Sequence, residues 1–139
     1  MARPVRGDGA ITGRTESDRS DLIQVVYVSE ATSALDSAAL AGLEATSRRK
    51  NDRARLTGFL LYQGLKFYGL LEGPQRALLS RMEAIATDPR HRHLRVLREE
   101  PVESRRFRNW SFAALPGPTE PYAASPVSED FIKTLAKRL

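Results

Sequence analysis

Leu56-Thr57-Gly58-Phe59-Leu60-Leu61-Tyr62-Gln63-Gly64-Leu65-Lys66-Phe67-Tyr68-Gly69-Leu70-Leu71-Glu72-Gly73-Pro74 is the stretch on which the fold turns. Leu56 to Tyr62 and Lys66 to Leu71 read as two short strands. The three-residue connection Gln63-Gly64-Leu65, with its glycine, makes them a hairpin. Glu72-Gly73-Pro74 ends the second strand, and the proline suits the first turn of a following helix.

Downstream, that helix is expected from about Pro74 to Thr87, burying Leu78, Met82 and Ile85 at helical spacing. Asp88-Pro89 stops it. Leu94 to Glu99 and Phe107 to Leu115 read as a fourth and a fifth strand, and Ser128 to Leu139 as a short terminal helix. Upstream, Leu22-Ile23-Gln24-Val25-Val26-Tyr27-Val28 is a β-branched run typical of a buried strand. A helix follows from the N-cap residue Asp36 to about Asn51. Residues 1–21 show no hydrophobic period and are expected to form a disordered leader. Residues 22–116 then make one domain, and residues 117–139 a linker with the terminal helix. The order βαββαββ predicts an α+β, ferredoxin-like mixed sheet with two helices on one face, which satisfies the right-handed crossover rule.

The first helix carries an inward stripe that starts with Leu40 and Leu43 and continues by helical steps to Ser47 and Asn51. A stripe that turns polar at one end suggests a pocket; equally, Asn51 is placed to cap the helix and Ser47 to meet solvent. The 139 residues include no cysteine, which removes disulfides and thiolate chemistry, and His91 and His93 alone make a poor zinc site. No apolar run approaches the roughly 20 residues of a membrane span. The expectation from these features is a cytoplasmic protein with no metal and no membrane partner. The net charge of +5 raises the question of nucleic acid, but the basic residues are scattered and interleaved with acidic ones.

Taken in order, Val26 to Ser29, Asn51 with Leu56 to Tyr62, Phe67 through Pro74, Asp88 to His91 and Trp110-Ser111 resemble the BLUF family of blue-light sensors. Val26-Tyr27-Val28-Ser29 looks like its opening strand, and Asn51 followed by Leu56 to Tyr62 like its Asn and Thr-Gly-hydrophobic strand. Phe67 through Leu71-Glu72-Gly73-Pro74, then Asp88-Pro89-Arg90-His91, Glu99-Glu100-Pro101, Arg105-Arg106-Phe107 and Trp110-Ser111 complete the set. The resemblance implies a flavin, usually FAD with FMN or riboflavin as variants, held between the two helices. By position it makes Tyr27 the electron and proton donor beside the ring, and Asn51 the hydrogen-bonding partner of the ring's polar edge. Phe67 then lines the ring pocket, and Arg90 and His91 lie along the ribityl and phosphate part. Trp110 matches the strand-five tryptophan whose placement responds to light in relatives. Ser47, on the face of Asn51, supplies a further polar group. The implied role is sensing rather than enzymatic catalysis, with output through a separate downstream protein or a homo-oligomer.

One departure stands out. The family's third strand runs Phe-x-Gln, whereas here Gly69 occupies the glutamine position in Phe67-Tyr68-Gly69. The family's switch uses that amide as donor and acceptor between tyrosine and flavin, and glycine has neither. Tyr68 and Leu70 point to the opposite face and cannot replace it. Phe112 also stands where methionine is common. Photoswitching is therefore expected to be altered or lost, with a small void at Gly69 filled by water or another residue. The competing readings are a flavin-free interaction protein of the same family, an acylphosphatase-like hydrolase without a visible nucleophile–base pair, and an RRM-like nucleic-acid module. Lys66-Phe67-Tyr68-Gly69 faintly echoes the aromatic motif of that last class.

Overall fold

The computed structural model describes residues 21–115 together with Glu129, Asp130 and Ile132. The expected leader and most of the expected terminal helix lie outside the described residues; Glu129, Asp130 and Ile132 are helical. Seven elements follow in order: β1 (Leu22–Ala31), α1 (Ser37–Arg53), β2 (Thr57–Gln63), β3 (Lys66–Pro74), α2 (Gln75–Ala86), β4 (His91–Pro101) and β5 (Trp110–Ala114).

The five strands form one sheet in the order β4-β1-β3-β2-β5, with β5 parallel to β2 and every other neighbouring pair antiparallel. This is the expected α+β, ferredoxin-like arrangement. β1 and β3 take central places because both can be buried on two faces. Alternate side chains of the same strands feed two separate cores. Ile23, Val25, Tyr27, Phe67 and Leu71 pack with Leu43 of α1 and with Leu78 and Met82 of α2. Val26, Val28, Tyr68 and Leu70 point the other way and pack with Phe59 and Ile132.

Helix α1 starts as its sequence dictates, with the Asp36 carboxylate accepting the Ala39 N–H at 2.8 Å. It runs to Arg53, so Asn51 lies inside its last turn and is not its cap. The hairpin turn is tighter than the sequence suggests. Gln63 pairs with Lys66, leaving only Gly64 and Leu65 in the loop, both at positive φ (56° and 65°). That is the primed two-residue turn whose twist matches the strands, and Gly64 adopts it without strain.

Several strand boundaries also differ from expectation. β3 continues through Glu72 to Pro74 because β1 pairs with it as far as Leu22. β4 starts at His91 rather than Leu94, because β1 reaches Ala31 and pairs with it there. Its register slips twice, near Tyr27 and near Glu30, and His93 in the second slip has a positive φ of 56°. β5 begins only at Trp110. Arg106 and Phe107 leave the strand direction and donate their backbone N–H groups to the buried Glu72 carboxylate at 2.7 and 3.1 Å.

Candidate functional site

A cavity of about 60 Å³ opens between α1 and α2, over the centre of the sheet. Tyr27, Ser47, Asn51, Phe67, Arg90, His91 and Trp110 all line it. The sequence placed these on five different segments, and the β1–β3 pairing together with the two crossover helices brings them to one place. Leu43, Leu60, Leu71 and Ile85 complete apolar walls around them.

Tyr27 and Gly69 are cross-strand partners on β1 and β3. The phenol lies directly over the glycine: a Cβ at position 69 would stand 2.2 Å from Tyr27 Cζ and 2.5 Å from its Oη. Of the two occupants the sequence suggested for the space at Gly69, water or another residue, it is the ring of Tyr27 that fills it. Burial pushes the Tyr27 pKa up to about 12, and the opposing pull of the nearby Arg81 charge is smaller. The phenol thus keeps its proton on Oη through the neutral range.

Asn51 and Ser47 are both buried on the inward face of α1. Asn51 Oδ1 accepts from Arg81 Nε of α2 at 3.0 Å, so this bond crosses from one helix to the other. Phe67 is held between Tyr62, with ring centroids 5.0 Å apart, and His91, which meets it edge-on at 6.2 Å. Both ring nitrogens of His91 are engaged. Nε2 faces the Ile85 carbonyl and Nδ1 lies 2.7 Å from Ser29 Oγ. A carbonyl only accepts, so the neutral ring carries its proton on Nε2 and Nδ1 accepts from the serine hydroxyl. The histidine thereby ties the start of β4 to β1 and to the end of α2.

Arg90, half exposed at the mouth, is paired with Asp88 at 2.6 Å, and Asp88 also accepts the Arg90 backbone N–H. The side-chain hydrogen bonds from Arg90 are the main reason the Asp88 carboxyl is held down to a pKa of about 2. On the far wall, buried Trp110 stacks near Phe112 and lies under the Arg48 guanidinium, 5.4 Å from the ring centroid. Arg48 also donates to the Trp110 carbonyl at 2.8 Å, fixing the start of β5.

The sequence reading missed Ser29, Asp88 and Arg81, which also line the cavity. Ser29 follows Tyr27 by two residues on the same strand face. Arg81 had a sharper signal: Leu78, Arg81 and Ile85 are spaced by three and four, so the apolar stripe of α2 contains one cation. The RRM-like reading fares poorly here, since base stacking needs exposed aromatics on the sheet. Phe67 is buried under the helices and Tyr68 is buried in the opposite core. Among the described residues no helix is long and apolar enough to cross a membrane.

Comparison with known proteins agrees with this geometry. The chain is 30% identical over 119 residues to the photoactivated adenylate cyclase subunit beta of Euglena longa, a match covering 85% of the chain and 14% of that protein. It is 38% identical over 61 residues to the blue light- and temperature-regulated antirepressor BluF of Escherichia coli, covering 44% of the chain and 15% of the relative. The chain thus spans about one seventh of the length of these curated relatives. Among solved structures, the dark state of the BLUF protein BlrB superimposes with a TM-score of 0.64 at 28% identity, over 86% of this chain and 82% of that one. Klebsiella pneumoniae BlrP1 with FMN and cyclic diGMP gives a TM-score of 0.61 at 33% identity, over 68% and 26% of the two chains. The family model described as sensors of blue light using FAD matches residues 22–113, and the chain belongs to this family, BLUF.

Proposed function

We propose that this chain holds a flavin between α1 and α2, and that its response to blue light departs from the family's reversible hydrogen-bond switch. The lining fits a flavin. A flat aromatic ring with amide-like edges needs apolar walls and a few convergent polar groups. Leu43, Leu60, Phe67, Leu71, Ile85 and Trp110 offer the walls, and Ser47, Asn51 and Arg81 the polar groups. The walls leave about 60 Å³, well short of the several hundred Å³ usual for ligand clefts, so binding goes with outward rotation of lining side chains. Arg90, half exposed at the mouth, is the long one that can swing outward. Once bound, the flavin supplies blue-light absorption and an electron acceptor.

A phosphate-bearing flavin, FAD or FMN, is favoured over riboflavin, because Arg90 stands at the mouth as a cation available to phosphate once its pair with Asp88 loosens. Tyr27 presents a neutral phenol whose proton stays on Oη. The altered response rests on one observation: the Tyr27 ring occupies the space in which any side chain at 69 would begin, and position 69 carries no amide to link phenol and ring. The role is sensing, with the signal passed to a separate protein or through self-association.

The full chain, purified in the dark, is expected to be yellow and to release FAD on denaturation. Its light and dark spectra should coincide, or differ only by loss of the oxidised bands. Colourless protein that takes up none of FAD, FMN or riboflavin overturns the binding reading. A red-shifted state that reverts thermally overturns the altered response.

A further inference from the structure

Arg81 is the feature of the cleft that neither the resemblance nor the fold accounts for. It lies on the inward stripe of α2 between Leu78 and Ile85, and it lines the cavity beside Tyr27 and Asn51. Its Nε donates to Asn51 Oδ1 at 3.0 Å. A guanidinium only donates, so the Asn51 atom facing it is the oxygen, and the amide NH2 is left for another acceptor. Asp88, the carboxylate of this region, is taken by the guanidinium and backbone N–H of Arg90. Among the described residues Arg81 therefore makes no ion pair: its hydrogen-bond partner is an amide, and the Asp88 carboxylate, already held by Arg90, acts on it only from a distance. Burial pushes its pKa below the usual arginine value, an effect that Tyr27 and Asp88 oppose. Arginine nevertheless stays charged in proteins, so the cation is a fixed part of the cleft.

A half-buried charge without a direct ion-pair partner is unfavourable unless something supplies one. The oxidised flavin ring is neutral. Adding two electrons and one proton leaves it with one negative charge, spread over its carbonyl-bearing edge. We propose that Arg81 is a specificity residue that makes this cleft bind the reduced, anionic flavin ring more tightly than the oxidised, neutral one. It acts in two ways, by placing positive charge at the polar end of the cavity and by turning the Asn51 amide so that its NH2 donates to the ligand. The inference rests on the flavin reading above. Charge-assisted hydrogen bonds are roughly twice as strong as neutral ones, so a preference on the order of tenfold or more follows. By linkage, tighter binding of the reduced form raises the reduction potential of the bound ring, by about 30 mV for each tenfold in a two-electron couple.

The test is the midpoint potential of the FAD-loaded full chain, equilibrated without oxygen against a chemical reductant and indicator dyes. In the unmodified protein it should fall by about 30 mV per pH unit, the two-electron, one-proton value. A slope of about 60 mV per pH unit, meaning two protons and a neutral reduced ring, overturns the proposal without any variant. Arg81→Leu should lower the midpoint by about 30 mV or more while the affinity for oxidised FAD changes less. Arg81→Lys, which keeps the charge, should recover most of that loss and covers the case in which the leucine variant fails to fold. Folded Arg81→Leu with an unchanged midpoint defeats the role of Arg81 and leaves the flavin reading intact. Unmodified protein that takes up no flavin defeats both.

Discussion

Tyr27 and Gly69 form one unit: the phenol fits against β3 only because position 69 has no side chain. The atoms that a Cβ at 69 would strike, Cζ, Cε1 and Oη, are the far end of the Tyr27 side chain. A residue added there displaces the ring and leaves the backbone in place, and the cleft is where the ring can go. Gly69→Gln thus brings an amide and a moved phenol together beside the flavin. A partial, reversible red shift is the expected gain in light-minus-dark spectra, with about 1–3 kcal/mol of stability lost to overpacking. Gly69→Ala separates the two effects, since it moves the ring equally but adds no amide, and it should give no shift. If alanine produces the shift as well as glutamine, the amide is not the missing part.

Glu72 at the end of β3 shows how one buried side chain fixes two elements. Its carboxylate accepts from Gln24 Nε2 on β1 at 3.0 Å, and from the N–H groups of Arg106 and Phe107 ahead of β5. Glu72→Ala would strand these donors in a dry environment. It should cost about 3 kcal/mol, read as a lower urea midpoint, whereas Glu72→Gln should lose less because an oxygen remains. Glu72 faces away from the cleft, so the flavin spectrum of the folded protein should not change. The hairpin and both helices were legible in the sequence because Gly64, Asp36 and the spacing of Leu78, Met82 and Ile85 act locally. Glu72 and Arg81 were not, for the opposite reason. A charged residue adds nothing to a hydrophobic period, and its partners lie some thirty or more residues away. The strand ends were misjudged on the same grounds: Pro74 and His91 are extended because β1 pairs with both.

The described residues form two cores divided by one sheet, with the cleft in the first and Ile132 sealing the second. Ile132 is fully buried against Val26, Val28, Phe59, Tyr68 and Leu70. Ile132→Ala should remove about 2–5 kcal/mol of stability in urea titration. An unchanged urea midpoint would mean that the far core does not depend on this contact. The strand order has a kinetic consequence. The β2–β3 hairpin joins neighbours in sequence, and such turns close within microseconds. β1 must instead enter between β3 and β4, each more than thirty residues further along the chain. Such non-local pairing carries a loop-closure cost that slows assembly. The floor of the cleft is the seam between β1 and β3, where Tyr27 meets Gly69, so it does not exist until that late insertion is complete. A chromophore therefore meets no partly built receptor during folding, and its capture reports that the central strand has arrived.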